Sequence, residues 1–169
     1  MLLSGLEKMT TETSLRLAGE LGDTLKQKGW TMTCAESCTG GGIGYAITSV
    51  SGSSSWFERG FITYSNQAKQ DLLGVQTDTL VVHGAVSAQT VEEMAQGALN
   101  AAKADMAIAV SGIAGPDGGS PEKPVGTVWF GLALKGETKS VLQRFEGDRQ
   151  QIRQQAVEFA LRFGAEAIR

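Results

Sequence analysis

Met106-Ala-Ile-Ala-Val110 (MAIAV), running directly into Ser111-Gly-Ile-Ala-Gly-Pro-Asp-Gly-Gly119 (SGIAGPDGG), decides the fold. Five consecutive apolar residues do not suit a strand with one wet face. They suit a strand covered on both faces, as in a largely parallel sheet held between helices. The run stops in a loop, because Ile113 to Pro124 holds Gly115, Gly118 and Gly119 together with all three prolines of the chain. Upstream, Ser87 is placed to cap an alanine-rich helix reaching Lys103. Downstream, Val125–Leu134 and Lys139–Phe145 read as a hairpin across Lys135, Gly136 and Glu137.

Further out the pattern continues to alternate. Leu15, Leu17, Ala18, Leu21 and Leu25 recur at helical spacing between Thr11 and Lys28, and Gly29 ends that helix. Trp30–Ala35 (WTMTCA) reads as a strand, with a helix from near Thr39 to about Val50. Trp56–Tyr64 (WFERGFITY) reads as another strand. Ser65 or Asn66 then caps a short helix through Leu73, ended by Gly74. Asp148 with Gln151 three residues on has the capping-box spacing and opens a last helix with Ile152, Ala156, Phe159, Ala160 and Phe163 on one side. The sum predicts one domain over residues 1–169, with its core in about 11–168. The expected fold class is α/β, a three-layer α/β/α sandwich with a mixed, largely parallel sheet.

Composition narrows the function. A chain of 169 residues with 41% apolar content builds one core. A net charge of −3 with 20% charged residues gives no basic field for a nucleic-acid backbone, so nucleic acid is excluded as a partner. There is no apolar run of about 18 residues and no basic, apolar start of a secretory signal, which predicts no membrane association and a cytoplasmic location. Cys34, Cys38 and the single histidine, His83, do not make a closed ligand set. The expectations are therefore reduced thiols, no metal and no cofactor.

Three segments offer chemistry. Ala35–Gly42 (AESCTGGG) is a strand end running into glycines that open a helix, a place for a phosphate or an oxyanion on free N–H groups. There Ser37 is a candidate nucleophile or, alternatively, an N-cap. A serine nucleophile needs a base. His83 is one option, although in HGAVS it suits a turn or cap. Lys69 is the other, one turn into the helix after Tyr64, if burial lowers its pKa; otherwise it is a solvated helix lysine and Tyr64 a core aromatic. The loop 111–119 leaves the buried strand where open α/β sheets bind ligands, but lacks a Walker or dinucleotide fingerprint. Lys123 and Arg149 are further phosphate candidates.

AESCTGG (35–41), GSSSWFERGFITYSNQAK (52–69), HGAVS (83–87) and SGIAGPDGGSPEKPVGTVWF (111–130) together resemble the CinA C-terminal domain family, in the same order and over roughly residues 11–168. The resemblance implies a stand-alone nicotinamide mononucleotide deamidase that yields nicotinic acid mononucleotide and ammonia. It implies Ser37 as nucleophile with Lys69 and Tyr64 as catalytic partners. It also points to Arg149 and to the loop with Gly112, Gly115, Gly118 and Gly119 as parts of the substrate site, while the N–H groups of Thr39, Gly40 and Gly41 are expected to receive the oxyanion. The partner expected is a small-molecule nucleotide, and a homodimer is the expected assembly. The rival from another class is a non-catalytic nucleotide-binding or interaction module of the same fold.

Overall fold

The computed structural model describes residues 11–169; the first ten residues of the expected domain, and with them the expected lack of a leader, lie outside the described residues. The chain alternates as α1 (Glu12–Lys28), β1 (Met32–Glu36), α2 (Gly42–Thr48), a short 3-10 turn (Ser53–Ser55), β2 (Phe61–Ile62) and α3 (Asn66–Leu73). It continues as α4 (Thr77–His83), α5 (Ala88–Ala102), β3 (Met106–Gly112), β4 (Thr127–Leu134), β5 (Glu137–Arg144) and α6 (Arg149–Ala167). The sheet order is β2-β1-β3-β4-β5. β1 pairs in parallel with both β2 and β3, while β4 is antiparallel to β3 and to β5, so β4 alone runs against the others.

The residues of β1 and β3 sort into two cores by the period-2 rule. Met32, Cys34, Met106, Ile108 and Val110 pack beneath α1, α2 and α6. Ala35, Ala107, Ala109 and Ala133 face α3, α4 and α5. Those small residues let α5 lie close: a Cβ on Gly131 of β4 would sit 2.3 Å from the Val91 carbonyl oxygen of α5. This is the expected three-layer sandwich with a mixed sheet.

The ends of elements follow local chemistry. Thr11 caps α1 and Asp148 caps α6, each in a capping box, and Gly29 and Gly74 close α1 and α3 in the left-handed region at φ 68° and 69°. Ser65 and Ser87 cap α3 and α5.

Three expectations need correction. The strand expected over 56–64 is only Phe61–Ile62, with one bridge from Phe57 to Met32. Trp56 leaves the sheet to fill the space beside Gly22 of α1, where a Cβ would meet its indole at 2.5 Å. The helix expected near Thr39 starts at Gly42, because Gly40 and Gly41 adopt φ 57° and 106° in a tight turn first. His83 ends a helix, α4, that the sequence did not announce; its β-branched Val81 and Val82 are 78% and 72% exposed and present no apolar stripe.

The direction of winding reverses at β1. From β1 the chain passes through α2 to β2 on one side, while β3 lies on the other side. The loops after β1 and β3 therefore diverge at the carboxyl ends of adjacent parallel strands, where open α/β sheets form their ligand crevice.

Candidate active site

The turn after β1 is built around a buried carboxylate. Glu36 accepts from the Thr39 hydroxyl at 2.6 Å and from the Ile43 and Gly44 N–H groups at 2.8 and 3.0 Å. These bonds neutralise the start of α2 and hold the 37–42 turn rigid. The turn was read as a place for a phosphate, but the helix N–H groups at its centre already carry Glu36. Ser37, only 8% exposed, continues the ladder by donating its N–H to the Val110 carbonyl at 3.1 Å. The Gly40 N–H is committed to the Ser37 carbonyl at 3.0 Å. The N–H groups of Thr39 and Gly41 have no acceptor among the described residues.

Lys69 reaches Ser37 from α3 on the opposite layer. It lies four residues before the buried Leu73, on the same face of that helix, and is itself 1% exposed. Its Nζ is 2.9 Å from Ser37 Oγ, 2.8 Å from the Thr63 carbonyl oxygen and 3.2 Å from that of Tyr64. Three acceptors match the three protons of an ammonium. In the neutral amine two N–H groups serve the carbonyls and the lone pair faces the serine O–H. Burial lowers the Lys69 pKa from its ordinary value, against a smaller opposing influence of Cys38. Burial also raises the neighbouring thiols, Cys38 to about 11, so they stay protonated near neutrality.

Tyr64 contributes differently from expectation. Its carbonyl orients Lys69, while its 62% exposed phenol turns outward and accepts from Arg149 Nη2 at 3.2 Å. Arg149 Nη1 donates to the Gly115 carbonyl at 2.7 Å, tying α6 to the loop after β3. His83 is exposed, and its carbonyl accepts from Lys123 Nζ at 2.9 Å.

A cavity of about 830 Å³ opens beside this turn, lined by Thr39, Gly40 and Gly42, by Ala114, Pro116 and Val125 of the loop, and by α6 residues including Arg149 and Arg153. Its volume is that of a small-molecule site. Ser37 lies two residues before Thr39 in the same turn, and neither it nor Lys69 is part of the lining. Gly112, Gly118 and Gly119 lie off this wall. A Cβ on Gly112 would meet Val128 at 2.6 Å, which is a packing requirement, and Gly118 and Gly119 supply φ of 82° and 86° to the loop.

Arg153 was missed by sequence reasoning. It follows Arg149 by four residues on the same helix, the spacing that places both on one face and would have marked it. Its Nε and Nη2 donate to the Cys38 and Thr39 carbonyls at 3.0 and 3.3 Å. Among the described residues no group of three or more His, Cys, Asp and Glu is arranged to hold a metal ion, and no helix is long and apolar enough to cross a membrane.

The fold and the site define a class: an α/β domain with a wound, mixed sheet, in which a serine hydroxyl and a buried lysine meet at the carboxyl end of a parallel strand. The chain belongs to the CinA C-terminal domain family, which matches residues 14–168. It is 62% identical to the nicotinamide-nucleotide amidohydrolase PncC of Enterobacter agglomerans, over 86% of this chain and 89% of that one. It is 55% identical to the protein of the same name from Escherichia coli K12, over 90% and 93%. Among solved structures, the competence/damage-inducible protein CihA of Agrobacterium tumefaciens superposes with a TM-score of 0.91 at 42% identity, covering 95% of this chain and 98% of that one.

Proposed function

We propose that the chain hydrolyses the carboxamide of nicotinamide mononucleotide to nicotinic acid mononucleotide and ammonia by a serine–lysine acyl-enzyme route. Relatives at 52 to 62% identity over most of both chains carry the name nicotinamide-nucleotide amidohydrolase; this chain is an amidohydrolase, and the shared name supports a nucleotide carboxamide as its substrate. The observation that carries the mechanism is the 2.9 Å contact between Lys69 Nζ and Ser37 Oγ in a site with no histidine.

Neutral Lys69 takes the Ser37 proton as the oxygen attacks the carboxamide carbon. The oxyanion of the tetrahedral intermediate is received by N–H groups of the 39–41 turn; those of Thr39 and Gly41 are free for it, whereas that of Gly40 is already engaged. The Lys69 ammonium then gives its proton to the departing nitrogen, which leaves as ammonia. Water attacks the ester with Lys69 again as base, releasing the carboxylate and restoring Ser37. The Thr63 and Tyr64 carbonyls fix the amine so that its lone pair points along the Ser37 bond in both halves. The Tyr64 phenol belongs with Arg149 on the substrate side. The chemistry needs no metal or cofactor.

Purified protein incubated with nicotinamide mononucleotide should release one ammonia per nicotinic acid mononucleotide formed, and should leave free nicotinamide intact. Absence of ammonia release in a folded preparation that still binds the mononucleotide would favour the non-catalytic module.

A further inference from the structure

We infer that Arg153 is the specificity-determining residue for a phosphomonoester dianion, and that it selects the phosphorylated substrate over the nucleoside. The inference rests on the mononucleotide reading above and assigns its phosphate to one side chain. The turn after β1, the obvious alternative, is unsuitable because Glu36 already occupies the Ile43 and Gly44 N–H groups at the start of α2. A phosphate dianion at the start of α2 would face that carboxylate, and the free Thr39 and Gly41 N–H groups are taken by the oxyanion of the reaction.

The unneutralised positive charge lies on α6. Arg149 and Arg153 both line it, and neither has a carboxylate partner among the described residues, in a chain whose net charge is −3. Of the two, Arg149 follows Asp148, which shares the wall and whose carboxylate is held there by the Gln151 N–H at 2.9 Å. Arg153 stands one turn further from that charge. Its two bonds to the Cys38 and Thr39 carbonyls fix the guanidinium and leave three of its five N–H groups for a ligand. Gly40 permits this placement, since a Cβ there would lie 3.2 Å from Arg153 Nη2. A planar fork fixed on its inner edge and free on its outer one suits bidentate phosphate binding. The same bonds tie the anion site to the turn that carries Ser37, so a phosphate held there positions the carboxamide.

The test compares nicotinamide mononucleotide with nicotinamide riboside as substrates of the wild type, Arg153→Gln and Arg153→Lys, alongside direct binding of ribose 5-phosphate by calorimetry. The expected result is that kcat/KM for the mononucleotide falls at least tenfold more than for the riboside in Arg153→Gln. Arg153→Lys should recover part of the preference, and ribose 5-phosphate binding should weaken at least tenfold in Arg153→Gln. Equal losses for both substrates would make Arg153 only a brace of the Ser37 turn and overturn the inference, as would unchanged ribose 5-phosphate affinity in folded Arg153→Gln. If the wild type turned over neither substrate, the mononucleotide reading would fail, and the binding arm would still decide the anion site.

Discussion

A lysine amine 1% exposed and 2.9 Å from a serine hydroxyl is costly unless it is used, because burial opposes its charged form. Burial holds its folded pKa below the ordinary 10.5, so the native state releases the proton at lower pH than the unfolded chain does. This group's contribution to stability is therefore greatest above that ordinary value and is lost as pH falls through the folded pKa. Catalysis follows the same sign. The base works when neutral, so kcat should rise with pH and level off through an apparent pKa below that of a free lysine. Ser37→Ala and Lys69→Ala should each lower kcat by roughly 10²–10⁴-fold, and the double variant should be little worse than either, because the two act as a unit. Lys69→Arg should be as inactive as Lys69→Ala, since a guanidinium stays protonated. Additive losses, or a pH profile unchanged by substitution of Lys69, would remove the dyad. Ser37 and Lys69 were both legible as candidates in AESCTGGG and YSNQAK. The part Tyr64 plays through its carbonyl was not, because a residue name says nothing about which of its atoms a fold will use. The task of Glu36, inside AESCTGGG, was not legible either; its carboxylate matters only once the turn folds back over it.

At the scale of elements, legibility followed how completely a segment is buried. MAIAV and the helices with full apolar stripes were read correctly because their burial is decided by their own residues. WFERGFITY was read as strand from its β-forming residues, but Trp56 packs against Gly22 of α1, and the ladder with β1 is two residues long. TDTLVVH was not read at all, since α4 buries little beyond Leu80. The element that matters most to the site is α3, which delivers Lys69 and is itself placed by α5. A Cβ on Gly97 of α5 would lie 1.9 Å from the carbonyl oxygen of Leu73, at the end of α3. Backbone cannot yield as a flexible side chain can, so Gly97→Ala should push the C-terminal turn of α3 away from α5. The expected cost is about 1–3 kcal/mol in chemical denaturation. A larger fractional loss of kcat than of mononucleotide affinity should accompany it, because Lys69 moves while Arg149 and Arg153 do not. A variant as stable and active as wild type would show that α5 does not set the position of α3.

Across the whole molecule, two cores share one sheet, and the cavity touches parts of the chain that fold together. The 39–42 turn belongs to β1, the 114–125 loop links β3 to β4, and α6 packs on the same face of the sheet as α1 and α2. The layer architecture was legible because alternating strands and helices leave few alternatives. Each wall of the cavity was touched by the sequence reading, through Thr39 and Gly40, the 111–119 loop and Arg149. Arg153 and the shape they enclose were not legible, because the walls are far apart in sequence and meet only after the sheet is wound. A ligand that bridges all three walls binds the native state and not the unfolded chain, so it should raise the stability of the whole domain and not of one segment. Ser37→Ala offers a clean measurement, since it should bind nicotinamide mononucleotide without consuming it. At a free concentration of 100 times Kd the linkage adds about 2.7 kcal/mol. For a domain of this size that corresponds to a rise in Tm of roughly 5–11 °C. Scanning calorimetry should show one transition moving as a unit, and ribose 5-phosphate should produce a smaller shift of the same kind through the Arg153 side of the cavity. A melting profile that splits, or a Tm that stays fixed at saturating mononucleotide, would show that the ligand does not bridge these walls and would place its site elsewhere on the molecule.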